Sequence, residues 1–371
     1  MHYFIYPTKD SWISSGSNAS TTGVSEKDQN FGQDQIIEIK KNFFNASFDY
    51  QTRALVQFDL TEISKSVADG SITNPKYYLR LFETEGTQEL STEYKLSAFP
   101  LSQSWDEGTG KFGDNPKVTT GVSWENRDNF PGSTATTWNQ DGTSYISSSG
   151  NLASQSFSYE SPDINMDVTD IVTNWIDGTN NNYGFLLRYS GSQETDSTTF
   201  GQLKFFSSNT HTIYPPKLEV RWDDHLPATG SNTGSLSEMA IEGTDDNFLY
   251  VYRMKERYRE TEKAKFRVGA RKKYIQKTFS TSVQTVSQSF VPETSGSYSI
   301  IDVATGETIV PFKDNFSNTY SYLSCDVSGS YFTQWLDSFQ TNRIYKILLK
   351  LKTNDGQELI FDDDYEFKVV R

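Results

Sequence analysis

Carboxylates are the first residues to consider for chemistry in this chain, because they are abundant. The sequence has 48 Asp and Glu and 34 Lys and Arg. Asp106 and Glu107 are the first candidates, since they lie beside Trp105 in a polar segment and glycoside hydrolysis uses a pair of carboxylates. The alternative is a solvated turn in which Asp106 caps local backbone groups, and we favour it. We therefore expect the protein not to be an enzyme.

Histidine and cysteine add no catalytic pattern. The three histidines, His2, His211 and His225, are scattered, and the sequence has no P-loop, GxSxG or HExxH motif. The single cysteine, Cys325, excludes an internal disulfide. We interpret it as a small buried residue near a strand end and not as a nucleophile.

Three tryptophans mark a long polar segment, residues 102–156. A connection of this length within a compact domain is usually functional or folded on itself. Trp105, Trp124 and Trp138 are candidate ligand-binding residues, because a carbohydrate site needs exposed aromatic platforms beside hydrogen-bonding side chains. The alternative, which we favour, is that these indoles anchor the segment to the edge of a sandwich.

One segment departs from the acidic character of the chain. The formal net charge is −14, but residues 253–277 hold eleven Lys and Arg against three Glu, which gives a local charge of +8. An acidic protein is repelled by nucleic acid and by anionic membranes, so neither is an expected partner. The segment is predicted to dock on an acidic surface of another subunit or to form an ordinary solvated face; a nucleic-acid patch is the least favoured alternative. The candidate docking residues are Arg253, Lys255, Arg257, Arg259 and Arg267.

The elements that must position these groups are strands. Aromatic residues make up 14% of the chain, and runs such as 53–60, 184–189 and 218–222 combine branched and aromatic side chains. Apolar residues at helical spacing between Met166 and Trp175 predict one short amphipathic turn. The pattern as a whole predicts an all-β protein.

A change in composition divides the chain. Residues 223–246 are rich in Gly, Ser, Thr and Asp without an apolar period, so we predict a linker there between domains 1–222 and 247–371. About seven predicted strands in the second domain suggest a smaller immunoglobulin-like β-sandwich. No apolar run approaches the ~18 residues that cross a bilayer, and the first ten residues do not resemble a secretory signal. We therefore expect the protein to act in the cytosol, in an assembled particle, or outside by another route.

Seven short motifs occur in order along residues 1–222. They are Asn30–Gly32, Arg53–Leu60 (RALVQFDL), Trp105–Gly110 (WDEGTG), Ser123-Trp124, Asp167-Val168-Thr169 with Trp175, Gly184–Leu187 and Pro216–Val220. This order resembles the DNRLRE-domain family. The resemblance implies a jelly-roll β-sandwich similar to carbohydrate-binding modules, and it implies a fold far more than an activity. It also implies a structural Ca²⁺ held by loop oxygens, for which Asp10, Asp163 and Asp167 are the candidate ligands; no other cofactor is expected.

The second half carries a further resemblance. Residues 252–268 (YRMKERYRETEKAKFRV), the KTFS at 277–280 and residues 335–351 are similar to the C-terminal part of virion structural proteins of contractile-tailed phages, notably cyanobacterial ones. This resemblance implies a virion protein of the neck, tail or baseplate, whose C-terminal domain docks to other virion proteins while the jelly roll projects. A homo-oligomer or symmetric ring and a host-surface glycan are its implied partners. The alternative function is a glycan-binding module of an exported bacterial protein or of a polysaccharide-degrading enzyme.

Overall fold

The fold is almost entirely β. A computed structural model describes residues 1–18, 24–44, 47–86, 93–140, 142–158, 163–242, 246–274, 279–283, 286–312 and 320–371. The chain is 44% strand and 7% helix, arranged in several sheets, so the predicted all-β sandwich class is confirmed. Within the described residues no helix is long and apolar enough to cross a membrane. Lys277 of the predicted basic segment lies outside the described residues.

The chain forms two compact units. The N-terminal unit comprises Phe4–Ser71 and Pro75–Val220, and the C-terminal unit comprises Met1–Tyr3, Ile72–Asn74 and Arg221–Arg371. Two short stretches from the first 74 residues therefore belong to the C-terminal unit. Composition alone does not indicate this assignment.

The segment predicted as a linker, residues 223–246, belongs to the C-terminal unit, and its described part enters the core of that unit at two residues. Met239 and Ile241 are 3% and 5% exposed in the core of that unit. The amide of Met239 donates to the carbonyl of Phe290 at 3.0 Å. Both apolar side chains lie in the core, and they anchor the segment there.

The first 221 residues build two principal sheets. Their strands are β1 (His2–Ile5), β2 (Pro7–Ser14), β3 (Ser17–Asn18), β4 (Val24–Ser25), β5 (Ile36–Phe44), β6 (Ser47–Phe58), β7 (Lys76–Leu81), β8 (Glu83–Gly86), β9 (Glu93–Pro100), β10 (Asn126–Asp128), β11 (Thr136–Thr137), β12 (Ala153–Ser158), β13 (Ile164–Asp167), β14 (Phe185–Tyr189), β15 (Gly201–Phe206) and β16 (Lys217–Arg221). One sheet has the order β1-β16-β7-β13. The larger sheet has the order β12-β9-β14-β6-β5-β15-β8, and β2 also pairs with β6. The hairpins β3–β4 and β10–β11 are separate small sheets.

Two short helices connect the principal sheets, and a third, α3 (Gly191–Thr195), follows β14. Helix α1 (Thr61–Ala68) leads from β6 to β7, and α2 (Thr169–Ile176) leads from β13 to β14. Each helix buries a narrow apolar side, which is Ile63 in α1 and Ile171, Val172 and Trp175 in α2. The predicted amphipathic turn between residues 166 and 175 is therefore present as α2.

The segments that contain α1 and α2 repeat each other at a spacing of 108 residues. Each begins with an Asp that accepts a hydrogen bond from the backbone N–H of a Thr, at 2.9 Å for both Asp59–Thr61 and Asp167–Thr169. Each ends with Asp-Gly, in which the glycine has φ +79°. The first segment joins β6 to β7, and the second joins β13 to β14. Because β6 pairs antiparallel with β14 and β7 with β13, exchanging the two segments replaces each of these pairings with the other.

Asn30 fixes the long loop that follows β9. Its side chain is fully buried; Nδ2 donates to the carbonyls of Glu107 and Val122 at 2.7 and 2.8 Å, and Oδ1 accepts from the amides of Gly32 and Gly110 at 3.2 and 2.7 Å. All four polar valences of the amide are used within the protein, so one side chain holds two distant parts of the loop.

Glycines allow the loop to approach Asn30 so closely. A Cβ at Gly32 would lie 2.0 Å from the carbonyl oxygen of Glu107, and a Cβ at Gly121 would lie 2.3 Å from the Cα of Gly108. Gly108 and Gly121 also have positive φ, at +80° and +97°. Side chains at these positions would separate the backbones that the amide joins.

The C-terminal unit consists of two sheets around one core. Its strands are β17 (Asn247–Tyr252), β18 (Arg257–Arg259), β19 (Lys263–Lys272), β20 (Gly296–Asp302), β21 (Thr308–Val310), β22 (Ser324–Asp326), β23 (Gly329–Trp335), β24 (Ile344–Lys352) and β25 (Glu358–Val370), and a 3-10 turn lies at Gly230–Asn232. The sheets have the orders β17-β19-β23-β22 and β18-β25-β24-β20-β21. Aromatic rings fill the core, where Tyr298 stacks on Phe332 at 3.9 Å and Phe332 on Phe266 at 5.0 Å.

Replacing Asn30 with Ala is expected to lower the free energy of unfolding of the N-terminal unit by at least ~3 kcal/mol, because four buried backbone groups lose their partner. Equilibrium urea unfolding measures the change. Asn181→Ala, at an exposed position, is the control and should cost less than ~0.5 kcal/mol. Equal small effects of both substitutions would contradict the role given to Asn30.

Candidate docking surface

Two of the three predicted platform tryptophans are buried. Trp105 and Trp138 are 4% and 6% exposed and pack in one cluster with Leu101 and Val122. Trp105 Nε1 donates to the carbonyl of Tyr183 at 2.8 Å, and Trp138 Nε1 donates to the carbonyl of Ser123 at 2.9 Å. An indole whose faces are buried cannot stack on a sugar from solvent, so a platform formed by these two residues is corrected to a structural anchor.

Trp124 is half-buried and belongs to a charged network inside the N-terminal unit. Its ring lies 4.7 Å from the guanidinium of Arg53. Arg53 forms a bidentate pair with Glu194, at 2.8 and 3.1 Å, and Arg188 contacts the same carboxylate. Arg53, Arg188 and Glu194 are 9%, 7% and 3% exposed, so their charges are largely removed from water and one carboxylate bridges the two guanidinium groups. The contacts assign Trp124 to this network, where it covers Arg53.

Of the predicted pair Asp106 and Glu107, Asp106 is half-buried, and the Glu107 side chain is held by the backbone of Asp10. Glu107 Oε1 accepts from the amide of Asp10 at 2.9 Å, and Asp10 accepts from the amide and hydroxyl of Ser208 at 2.6 and 2.9 Å. Burial raises the pKa of Asp10 to about 7, although the hydrogen bonds from Ser208 oppose this shift. Burial also raises the pKa of Glu107. Asp10 is 1% exposed, so this carboxyl joins β2 to the segment after β15 and is closed to solvent.

The candidate calcium ligands do not meet. Asp163 accepts from the amide of Glu83 at 2.8 Å, Asp167 accepts from that of Thr169, and Asp10 is bound to Ser208. In the part of the chain that the structure describes, no group of three or more His, Cys, Asp or Glu side chains could hold a metal ion. The prediction that Asp10, Asp163 and Asp167 form a calcium site is therefore corrected, because each carboxylate satisfies a different turn or strand end.

The single cysteine, Cys325, is 2% exposed. Burial raises the pKa of its thiol to about 11, so the nucleophilic thiolate is scarce at neutral pH. The prediction of a small buried residue near a strand end is confirmed, since Cys325 lies within β22.

The predicted basic residues divide between two sheets. Arg257 and Arg259 lie on the edge strand β18, which pairs with β25, and both are exposed. Lys255 pairs with Glu262 at 3.0 Å, and Arg253 lies in the preceding turn with φ +56°. Arg267 alone of the five predicted docking residues lies on β19 in the other sheet. The structure therefore does not bring the five together.

Arg267 belongs to a larger surface that we call the basic–aromatic face. It is the outward side of β17, β19 and β23, and its members are Phe248, Tyr250, Tyr252, Lys263, Lys265, Arg267, Arg271, Tyr331 and Trp335. Strand alternation produces this face, because Ala264, Phe266, Val268 and Ala270 point from β19 into the core. The cations therefore occupy every second position of the central strand, apart from Gly269.

Aromatic rings flank the row of cations on both sides. In the ladder, Phe248 lies opposite Arg271, and Tyr252 and Tyr331 lie on either side of Arg267. The Arg271 guanidinium is 5.1 Å from the Phe248 ring, and Lys265 Nζ is 3.5 Å from the Tyr331 ring. Rings that hold cations at these distances keep long side chains extended along the sheet.

Tyr250 completes the face by covering a glycine. It lies opposite Gly269 in the ladder, and a Cβ on that glycine would come within 2.3 Å of the Tyr250 ring. Tyr252 reaches further and donates its hydroxyl to the carbonyl of Ser328 at 3.2 Å. The Tyr250 ring thus lies over the neighbouring strand, and Phe248, Tyr250 and Tyr252 are half-buried beside the cations of the face.

Asp326 limits the positive charge of the face. Its carboxylate contacts Lys265 at 2.7 Å and Arg267 at 2.5 Å. Burial opposes ionisation of Asp326, but the hydrogen bonds from Arg267 and Lys265 outweigh it and lower the pKa of the carboxyl to about 2. One of four cationic charges is therefore neutralised, and Lys263 and Arg271 remain without a carboxylate among the contacts described here.

Trp335 lies at one end of the face. It is 37% exposed, and Lys263 Nζ lies 5.0 Å from its ring. The candidate ligand-binding tryptophans predicted from the sequence all lie in the loop of the N-terminal unit and do not include Trp335. The alternation of Lys263, Lys265 and Arg267 at every second position was the available signal for an outward basic strand. Its pairing with Trp335, some 70 residues later, depends on sheet topology that the sequence does not state.

The fold and this face define an all-β protein of two units with one candidate docking surface. No protein-family model matches the chain, and no curated protein matches it.

Asp10 makes stability depend on pH in a direction that can be tested. Its folded pKa of about 7 exceeds the unfolded value of ~3.9, so its contribution to the free energy of unfolding is complete below pH ~4 and is lost as the pH rises through 7. The difference between the wild type and Asp10→Asn should fall by roughly 2–4 kcal/mol between pH 4 and pH 8. Urea unfolding across this range measures it, with the exposed Asp170→Asn as control. A difference that stays constant with pH would contradict the assignment.

Proposed function

We propose that the protein is a non-enzymatic structural component of a tailed-phage virion. The C-terminal unit docks it to other virion proteins through the basic–aromatic face, and the N-terminal sandwich serves as an accessory or adhesion module. The face is the observation that carries this proposal. The resemblance of residues 252–268 and 335–351 to phage virion proteins supports the virion as the location.

The composition of the face suits protein recognition. Trp, Tyr and Arg are the residue types that contribute most often to the binding energy of interfaces, and the face presents all three on a rigid sheet. Unneutralised cations such as Lys263 and Arg271 steer an acidic partner toward the face and fix its orientation. Trp335, which is 37% exposed, is the ring most available for burial by a partner.

The exposed arginines of β18 favour a different role. Arg257 and Arg259 lie on the edge of their sheet, and charged residues at an edge strand discourage another strand from pairing there. We therefore assign docking to the face and protection against edge-to-edge aggregation to β18.

The carboxylates support a protein without chemistry. Asp10 and Glu107 accept hydrogen bonds from backbone amides within the N-terminal unit, and Asp10 is 1% exposed. A glycosidase needs a general acid and a second carboxylate on either side of an accessible glycosidic bond. Glu107 is therefore better explained by the structural connection that it makes than by a catalytic role with Asp106.

The proposal predicts loss of incorporation when the face is altered. Trp335→Ala combined with Lys263→Glu should reduce the copy number of the protein in purified particles about tenfold or more, because a ring and a steering charge are both removed. Quantitative mass spectrometry of particles complemented with each variant measures this. Arg257→Glu, on the other sheet, should leave the copy number unchanged. A wild-type chain that is absent from particles would overturn the proposal.

The alternative function, glycan binding, has one observation in its favour. A pocket of about 370 Å³ opens beside β9 and β12, with Glu93, Lys95, Ser156, Ser158 and Gln193 among its lining residues. Tyr94 and Phe157, whose rings stack at 4.9 Å, also line the pocket. A glycan array on the full chain tests this function, and binding that Lys95→Ala removes while Lys263→Glu does not would favour it.

A further inference from the structure

We infer that the basic–aromatic face binds the N-terminal unit of a second copy of this chain. The inference rests on the proposed function and names a partner for the docking surface. Charge complementarity between the face and that unit carries it, together with the size of the face and the residue types on it.

The two units differ strongly in charge. The N-terminal unit holds 15 Lys and Arg against 27 Asp and Glu, a net charge of −12. The rest of the chain holds 19 Lys and Arg against 21 Asp and Glu, a net charge of −2, and within it residues 253–277 carry +8. The chain thus contains both a basic surface and an acidic body, which are the two halves of a head-to-tail contact.

The end of the N-terminal sandwich that carries α1 and α2 presents exposed carboxylates to a partner. They are Asp59, Glu62, Asp69, Asp167, Asp170 and Asp177. The hydroxyl of Thr61 and that of Ser71 lower the pKa of Asp59 and Asp69, and the backbone amide of Thr179 lowers the pKa of Asp177. Lys65 is the one cation between residues 59 and 70, and residues 167–178 contain none. The side of the sandwich at these helices therefore complements a row of cations.

The size of the face indicates how such a contact would be used. The ten residues of β19 extend over ~33 Å and three strands are ~15 Å wide, so the face covers roughly 500 Å². A stable interface usually buries ~800 Å² on each partner. One contact is therefore weak, and copies joined head to tail gain strength when the arrangement closes into a ring or is held on a particle.

Nucleic acid and anionic membranes are other occupants with which a basic face must be compared. The acidic N-terminal unit is part of the same chain and repels both, because the net charge of the whole is −14. A second copy meets the same overall repulsion, but the carboxylates of its N-terminal unit are attracted directly by the cations of the face. A second copy of the chain also supplies these carboxylates at the same concentration as the face itself.

Paired charge reversals on the full chain test the inference. One variant carries Lys263→Glu and Arg271→Glu, and the other carries Glu62→Lys and Asp170→Lys. The control carries Arg257→Glu and Arg259→Glu, which makes the same change in charge on the opposite sheet. Circular dichroism confirms that each variant is folded. Sedimentation velocity as a function of protein concentration, at about 0.05 M and about 0.5 M NaCl, measures self-association.

We expect the wild type and the control to associate at low salt and to dissociate at high salt. Either reversal alone should weaken association about tenfold or more, and an equal mixture of the two variants should associate again, because each then supplies the surface that the other lacks. A wild type that remains monomeric, or a mixture that remains monomeric, would overturn the inference. So would a control that loses association as completely as the face variant.

The failure of this inference can be distinguished from that of the proposed function. A chain that is monomeric in solution yet present in particles at stoichiometric copy number contradicts the inference and leaves the virion function intact. A chain that self-associates through the face but is absent from particles supports the inference and contradicts the virion function. Binding of a short DNA duplex or of phosphatidylserine vesicles that depends on Lys263 and Arg271 would assign the face to another occupant and overturn the inference.

Discussion

A single buried amide, the side chain of Asn30, holds the long loop of the N-terminal unit against its sandwich. The carbonyl of Glu107 accepts one of its hydrogen bonds, and this places the Glu107 side chain where it accepts the amide of Asp10. The same stretch of loop begins at Trp105, whose ring enters the core. The loop is thus anchored to the fold from within, and its buried tryptophans, Trp105 and Trp138, pack in the core.

Trp105 and Trp335 use the same side chain in opposite ways. Trp105 is surrounded by apolar side chains and donates its indole N–H to a backbone carbonyl, so it has no free face. Trp335 lies on the outward side of β23 beside Lys263 and keeps part of its ring in contact with water. The difference arises from strand register, because the inward positions of β23, such as Phe332, already fill the core. Ring exposure, and not ring type, separates an anchor from a recognition residue.

Much of the fold could be predicted from local pattern. The alternation in residues 53–60 indicated β6, the spacing between Met166 and Trp175 indicated α2, and composition indicated an all-β class. The packing of residues 223–246 could not be predicted, because the few apolar residues of this stretch follow no period and the burial of Met239 and Ile241 depends on distant strands. The spacing of apolar residues indicates which side chains of one strand share a face, but it does not indicate which distant segment they contact.

The candidate site was predicted only in part for the same reason. Residues 253–277 were recognised as basic, but the turn between β18 and β19 sends Arg257 and Arg267 to different sheets. The dispersal of Asp10, Asp163 and Asp167 likewise follows from the pairings of their strands. Charge can be counted from the sequence, whereas the surface on which it lies depends on how the sheets are assembled.

The repeated segments around α1 and α2 suggest an origin for the N-terminal sandwich. The residues that are identical at a spacing of 108 are Asp59, Thr61, Ile63, Asp69, Gly70, Asn74, Leu79 and Arg80, matched by Asp167, Thr169, Ile171, Asp177, Gly178, Asn182, Leu187 and Arg188. Several of them accept a hydrogen bond from the first residue of a helix, follow its end or fill the core, while the exposed helix positions between them differ. Because exchanging the two segments also exchanges their strand pairings, this part of the unit has the plan of a twofold dimer whose subunits share one chain. Gene duplication and fusion is the simplest history for such a plan. The two segments can then be aligned with each other, as two related sequences would be.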